Sequence, residues 1–309
     1  MNRAPRSGAI LVFVLVAVAT IASLALFAGA AAARRSRIAA DAMLRSELRD
    51  EAASALALAA ARISADTNGV DHLAEDWARG YKFGRAAVQV EDEKSRLHFP
   101  QATPAAFAAL FTATTGTDPK AAQLQAEKLV AWRTLRASSP LPETGATTPA
   151  SDIQTATNAV WRAEEELLAS PAQSPAPARA WMPHLTAHGD GRVNINTAPR
   201  EVFLALSAAA GAPPATADAV FRRISESRKT GDYFAALTPS EAARLLSRGA
   251  AAPTGAELAA LRAMQPLLCV ESGLFRLTAR AEAGAISQTI QCAYDRASGK
   301  ILRWIDVSN

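Results

Sequence analysis

The chain has 309 residues, half of them hydrophobic, 6% aromatic, and a formal net charge of +4, which is length enough for two modest domains. Its arginines are scattered among acids, so the basic balance forms no run of the kind that makes a nucleic-acid-binding tail. Its 2 cysteines, Cys269 and Cys292, form no Cys-x-x-Cys pair, which excludes a zinc knuckle or a redox motif of that spacing. Much of the apolar content is alanine, so the cores are expected to be helix-rich and built from small side chains.

The N-terminus carries the strongest signal. Met1 to Gly8 is short, polar and basic, with Arg3 and Arg6. Ala9 to Ala33 follows without a charge, and Arg34, Arg35 and Arg37 close it. At about 1.5 Å per residue this run spans roughly 37 Å and can cross a bilayer as a helix. Three readings are open. An ordinary signal peptide has a shorter apolar core. A plain uncleaved anchor is the second. The third is a leader cut before the apolar stretch, between Gly8 and Ala9.

Beyond the span, Leu44, Leu48, Ala52, Leu56 and Ala60 recur every four residues among charges, an amphipathic stripe that extends the helix to about Asp66. Thr67-Asn68-Gly69 ends it. Ala86 to Phe99 reads as a β-hairpin, apolar alternation on both sides of a charged turn.

A weak internal repeat follows, with an offset of about 96 residues. Ser95 to Phe99 matches Gly191 to Ile195; Ala102, Phe107 and Leu110 match Ala198, Phe203 and Leu206; Gly116 lies near the place of Gly211. Each copy reads as strand end, helix, Gly-containing hairpin, second helix. Thr197 is placed to cap the helix starting near Pro199, with Glu201 in its first turn. The second copy resembles helix-hairpin-helix modules. Its hairpin, Ala210 to Ala215, has two prolines and neither Lys nor Arg. It lacks the N–H donors and charge by which such hairpins hold a phosphate, so no nucleic-acid partner is expected. Ala137 to Ser151 and Ser170 to Ala180 are Pro/Ser/Thr/Ala-rich loops that flank a short helix, Ala159–Leu168.

Near the C-terminus, Leu267 to Val270 reads as a strand. Leu274–Ala283 and Ala285–Tyr294 form a half-buried antiparallel hairpin, and Ile301–Ile305 closes the sheet. Cys269 and Cys292 could form one disulfide, or stand as two buried thiols.

No catalytic constellation is visible. His184 and His188 are four apart with Asp190 nearby, but Pro183 and Gly189-Asp190-Gly191 bracket them in a loop or strand, so no metal site is expected. No nucleophile elbow, phosphate loop or dinucleotide fingerprint occurs.

Taken in order, several pieces resemble the general secretion pathway protein K family, minor pseudopilins of type II secretion, over almost the whole chain. They are the Gly8-ended basic leader, Asp76-Trp77, VEDEKSRLHF, Trp132-Arg133, Asn158-Ala159-Val160 with Glu165-Glu166-Leu167, VNINTAPREVF, FRLTARAEA and KILRWID. The resemblance implies an α+β fold, a pilin-like N-terminal helix packed on an antiparallel sheet, with a helical insertion holding two helix-hairpin-helix-like repeats. The expected boundaries are a leader over residues 1–8, a transmembrane helix over 9–33, the remaining pilin helix and first strands over 34–99, the insertion over 100–264, and the last strands over 265–309.

The resemblance also implies cleavage between Gly8 and Ala9 by a prepilin peptidase, with methylation of Ala9. The fifth mature residue, Glu in most pilin-like proteins, is Phe13 here. A tip subunit has no neighbour above it whose amine such a carboxylate could pair with. The implied role is structural, not enzymatic: a single-pass inner-membrane protein with a periplasmic C-terminal domain. It would initiate and cap the pseudopilus with I- and J-type minor pseudopilins and the major pseudopilin. Family members also bind calcium through Trp-x-Asp and Gly-Ala-Glu. Here Trp132-Arg133-Thr134 and Gly145-Ala146-Thr147 lack those acids, so no cofactor is expected. The alternatives are a membrane-anchored DNA-uptake or competence-type protein, a type IV pilus minor pilin, and a periplasmic hydrolase or metalloprotein on a membrane anchor.

Overall fold

The computed structural model describes residues 7–138, 179–247 and 252–307. The first helix, α1 (Ser7–Ala65), has 59 residues. Its first half stands clear of the protein, while Leu48, Ala52, Ala55, Leu56, Ala59 and Ile63 are all at most 1% exposed. Leu48, Ala52 and Leu56 are the middle of the four-residue stripe; its ends, Leu44 and Ala60, are only partly buried, and Ala55, Ala59 and Ile63 complete the face that lies on the sheet.

Strands β1 (Tyr81–Phe83) and β2 (Ala86–Asp92) come next. A 3-10 turn, Glu93–Ser95, leads into β3 (Leu97–His98). Then come α2 (Pro104–Thr115), α3 (Pro119–Ser138), β4 (Leu185–Thr186) and β5 (Val193–Asn194). Four helices follow: α4 (Arg200–Ala209), α5 (Pro214–Lys229), α6 (Pro239–Leu246) and α7 (Gly255–Met264). The chain ends with β6 (Leu268–Cys269), β7 (Leu274–Ala283), β8 (Ile286–Asp295) and β9 (Lys300–Asp306).

Strands β1-β2-β7-β8-β9 form one antiparallel sheet in that order. β2 and β7 are adjacent in the sheet yet far apart in sequence, so the helical region is an insertion between neighbouring strands. Along β7, Phe275, Leu277, Ala279 and Ala281 are fully buried against α1. The alternation read from the sequence is thus the pleat of a one-side-covered strand.

The expected hairpin at Ala86–Phe99 does not form. β2 pairs with β1 and β7, and β3 pairs in parallel with β4. The reason lies in the turn. Asp92 accepts from Lys94 N at 2.7 Å, and Glu93 is drawn inward to Arg276 at 2.5 Å. Both steer the chain out of the sheet plane.

The insertion has its own core. Leu97 and Phe99 belong to it at one end and Leu268 at the other. Its edges are therefore β3 and β6, a little outside the expected 100–264. The two copies of the repeat are built alike. β3 pairs in parallel with β4, and β5 with β6. A 3-10 turn with proline in second place precedes each partner strand: Met182–His184 and Gln265–Leu267. Gly116 and Gly211 both take left-handed φ, 67° and 73°, where the first helix of each copy turns into the second. One arginine in each second helix closes the copy. Arg133 donates to Phe99 O and Ala102 O at 2.6 and 2.8 Å. Arg228 donates to Ile195 O and Ala198 O at 2.5 and 2.8 Å. Those carbonyls sit where strand gives way to helix, and a cation with several donors serves two of them at once. The first helices, α2 and α4, pack against each other, burying Phe107, Leu110 and Phe111 with Val202, Phe203 and Leu206 in a single core.

Candidate functional site: an apolar stem and a buried polar joint

Two features stand out: the uncovered N-terminal helix and the seam that fixes the insertion to the sheet. In α1 the most apolar window has a mean hydropathy of 2.8 and none of it is buried within the protein. Phe13 is 77% exposed. The two hydroxyls in the span donate back to the helix, Thr20 to Val16 O and Ser23 to Ala19 O, both at 2.8 Å. That is how a polar side chain is accommodated in lipid. Gly8 and Ala9 lie in the first turn of α1, and Met1–Arg6 lie outside the described residues.

The seam is built from the Val193–Thr197 motif. Asn194 is fully buried, and its Nδ2 lies 3.1 Å from Asp71 O, 3.1 Å from Asp92 Oδ2 and 2.9 Å from Ser272 Oγ. Its Oδ1 accepts from Asn196 N at 2.9 Å. Asn196 then exchanges two bonds with the Phe234 backbone, donating to its carbonyl at 3.0 Å and accepting from its N–H at 2.8 Å. Asp92 also accepts from the hydroxyls of Ser272 and of Thr197, the latter at 2.5 Å. Asp71, fully buried, is held by Arg296 at 2.9 and 2.8 Å and by Ser272 N at 2.5 Å.

One polar cluster thus ties the chain after α1, the end of β2, the insertion motif, and both ends of the β7–β8 hairpin. Buried polar groups are stable when every member is paired. Burial pushes the Asp92 carboxyl up to about 6 against the hydrogen bonds of Ser272, Thr197 and Lys94 N. Burial also works to raise Glu93, but the Arg276 and Arg96 charges overcome it and hold that carboxyl below its ordinary range.

Thr197 was expected to cap a helix; the structure corrects this. The N-cap of α4 is Pro199, with no side-chain bond. The Thr197 hydroxyl goes instead to Asp92, a stronger acceptor brought near only by the fold. Cys269 and Cys292 are both free and buried. Cys269 sits on β6 in the insertion and donates weakly to Glu271 O, while Cys292 sits in the core beneath α1. Burial raises both thiols to about 11. His184 ends a 3-10 turn and His188 lies beyond β4, so the pair does not share a helix face. Burial lowers both imidazoles. Asp190 pairs with Arg192 at 2.7 Å.

Trp132-Arg133-Thr134 lies within α3, where the arginine serves carbonyls. Gly145-Ala146-Thr147 and the Ala159–Leu168 segment lie outside the described residues. Sequence reasoning missed a different acidic group. Asp66, Asp71 and Glu75 bring carboxylate oxygens within 4.8 Å of one another. Each already has partners: Asp71 has Arg296, Glu75 accepts from His72 N and Trp77 Nε1, and Asp66 accepts from Asn68 N.

No family model and no curated protein matches the chain. Among solved structures, a chain of the GspK-GspI-GspJ complex from the enterotoxigenic Escherichia coli type 2 secretion system is similar. The likeness covers 89% of this chain and 100% of that one, with a TM-score of 0.57 and 15% identity. It shows that the two share a pilin-like α+β fold, insertion included.

Proposed function

We propose that the protein is a minor pseudopilin of the K type. In this reading it works at the tip of a type II secretion pseudopilus, where it initiates assembly and caps the fibre. The observation that carries this is the shared fold with a chain of the GspK-GspI-GspJ complex, joined to an N-terminal helix whose apolar half is left uncovered by its own protein. An unpaired apolar helix of that length needs lipid or neighbouring helices.

Its partners are then I- and J-type minor pseudopilins, the major pseudopilin and the prepilin peptidase. Its place is the inner membrane, with the folded part in the periplasm. Phe13 at the fifth mature position suits a subunit with no neighbour above it. A role in assembly, without catalysis, accounts for the polar clusters: they are consumed in holding two bodies together.

The test is the intact mass and N-terminal sequence of the mature protein from a host with a prepilin peptidase. The expected start is methylated Ala9. A start just after the Ala-rich run near Ala33 would mark an ordinary signal peptide and end the pseudopilin reading. An intact Met1 would mark a plain anchor.

A further inference from the structure

The face of the sheet opposite α1 meets the insertion. Phe275 and Leu277 lie beneath α1, so Arg276 between them points the other way. Register carries that row from Arg276 to Ala293 on β8 and Arg303 on β9. Between this row and the β4 region of the insertion lies a cavity of about 50 Å³ that opens to solvent on one side. A single water needs roughly 10–15 Å³, so the cavity admits a molecule of several heavy atoms.

The lining divides by chemistry. Phe99, Met182 and Leu185 from the insertion and Ile305 from β9 make an apolar wall. The polar part is Glu93 and His188, with Arg276 and Arg303. Glu93 is 1% exposed, and its Oε1 is held by Arg276 at 2.5 Å. Its Oε2 and the Nδ1 of His188 are enclosed, and neither has a hydrogen-bond partner among the described residues. The Thr186 hydroxyl beside Glu93 is turned to the His188 backbone, whose N–H it accepts at 3.1 Å. Arg303, half-buried on the edge strand, has no ion pair or hydrogen bond among the described residues.

Charge decides the kind of molecule. Burial works to raise Glu93, but the Arg276 and Arg96 charges outweigh it and hold the carboxyl below its ordinary range. Two cations already match that carboxylate, so its free oxygen calls for a neutral donor and not a third cation. Burial, with Arg303 and Arg276 and against the pull of Glu93, lowers His188, so its ring is neutral at pH 7. A neutral imidazole nitrogen can meet a hydroxyl in either tautomer. Arg303 is the cation of the lining without a counter-charge, and a carboxylate matches its fork. A buried acceptor, a neutral imidazole and a free guanidinium beside an apolar wall are the features of a small-molecule site.

We propose that this cavity binds a small hydroxy acid. Its short aliphatic body lies on the apolar wall, its hydroxyl meets Glu93 Oε2 and His188 Nδ1, and its carboxylate meets Arg303. The ligand touches insertion and sheet at once, so its binding ties them together at a point separate from the Asn194 joint. The site is independent of the assembly reading above.

The test uses the full chain in dodecyl maltoside, with α-hydroxyisovalerate as the probe, read by calorimetric titration and by thermal unfolding. Saturable binding and a raised unfolding temperature are expected. Isovalerate, which lacks the hydroxyl, should bind roughly tenfold more weakly. Arg303→Ala should weaken the hydroxy acid severalfold while leaving the unfolding temperature without ligand unchanged. Ala187→Leu, which narrows the cavity, should abolish binding; should it fail to fold, Arg303→Ala carries the comparison alone. Absence of saturable binding overturns the site. Equal affinity for the two acids, or an affinity untouched by Arg303→Ala, overturns the assignment of a hydroxy acid.

Discussion

Asp92 shows most directly how a single side chain's chemistry follows from its surroundings. Its carboxyl sits in a cluster of donors, yet burial lifts it to about 6 from an ordinary 3.8. Between those values the folded protein holds a proton that the unfolded chain does not. Stability from this group is therefore largest at the acid end and is lost as pH rises through about 6. Urea unfolding of the detergent-solubilised protein should show this slope between about pH 4 and 6, and little of it above. Asp92→Asn, which cannot ionise, should flatten it, with the gap between the two proteins changing by on the order of a few kcal/mol. An unchanged slope in the variant would assign the effect elsewhere. The cysteines make a second residue-scale prediction. Buried and raised to about 11, Cys269 and Cys292 should ignore a thiol reagent in the native protein, and both should react after denaturation without reductant. Only a disulfide would leave them silent after denaturation.

At the scale of elements, the duplicated strand–helix–turn–helix copies depend on one arginine each. Arg133→Ala and Arg228→Ala each strip two backbone carbonyls of their partner. Each should cost about 2–3 kcal/mol in chemical denaturation, because a buried acceptor left unpaired is expensive. Lysine should recover part of the loss at either site, since it keeps the charge and loses the planar fork. If one arginine proves silent, the two copies are not energetically equivalent. Arg228 is the more sensitive probe: burial drags its guanidinium down to about 10, and its loss opens a more enclosed site.

At the scale of the molecule, two hydrophobic cores meet at one polar joint. The core beneath α1 uses the helix from Leu48 to Ile63. Deleting residues 1–33 should therefore give a soluble, cooperatively folded protein by calorimetry. Deleting residues 1–65 should expose the sheet face carrying Phe275, Leu277, Ala279 and Ala281 and give aggregates. Apolar burial, not helix propensity, is what the second deletion removes.

Periodicity made much of this legible in advance. The apolar run and the four-residue stripe specified α1, because a charge-free run and a buried helix face both leave a direct mark on residue order. Alternation from Phe275 to Ala281 specified β7 for the same reason. The repeat was visible through Phe107, Leu110, Phe203 and Leu206, the residues its shared core cannot exchange. The joint was not visible. Asp71, Asp92, Asn194 and Ser272 are far apart in sequence and carry no periodic signal, so only folding reveals that they converge. The same holds for Thr197, which looked like a cap until Asp92 arrived beside it, and for the segment after Asp92, whose alternation implied a hairpin although its hydrogen bonds go to β4. The sequence by itself determined α1, β7 and the paired helices of the repeat, through local periodicity and turn chemistry. The tertiary structure alone decided which strand pairs with which and where the buried charges meet. Those outcomes depend on contacts between residues that share no neighbourhood along the chain.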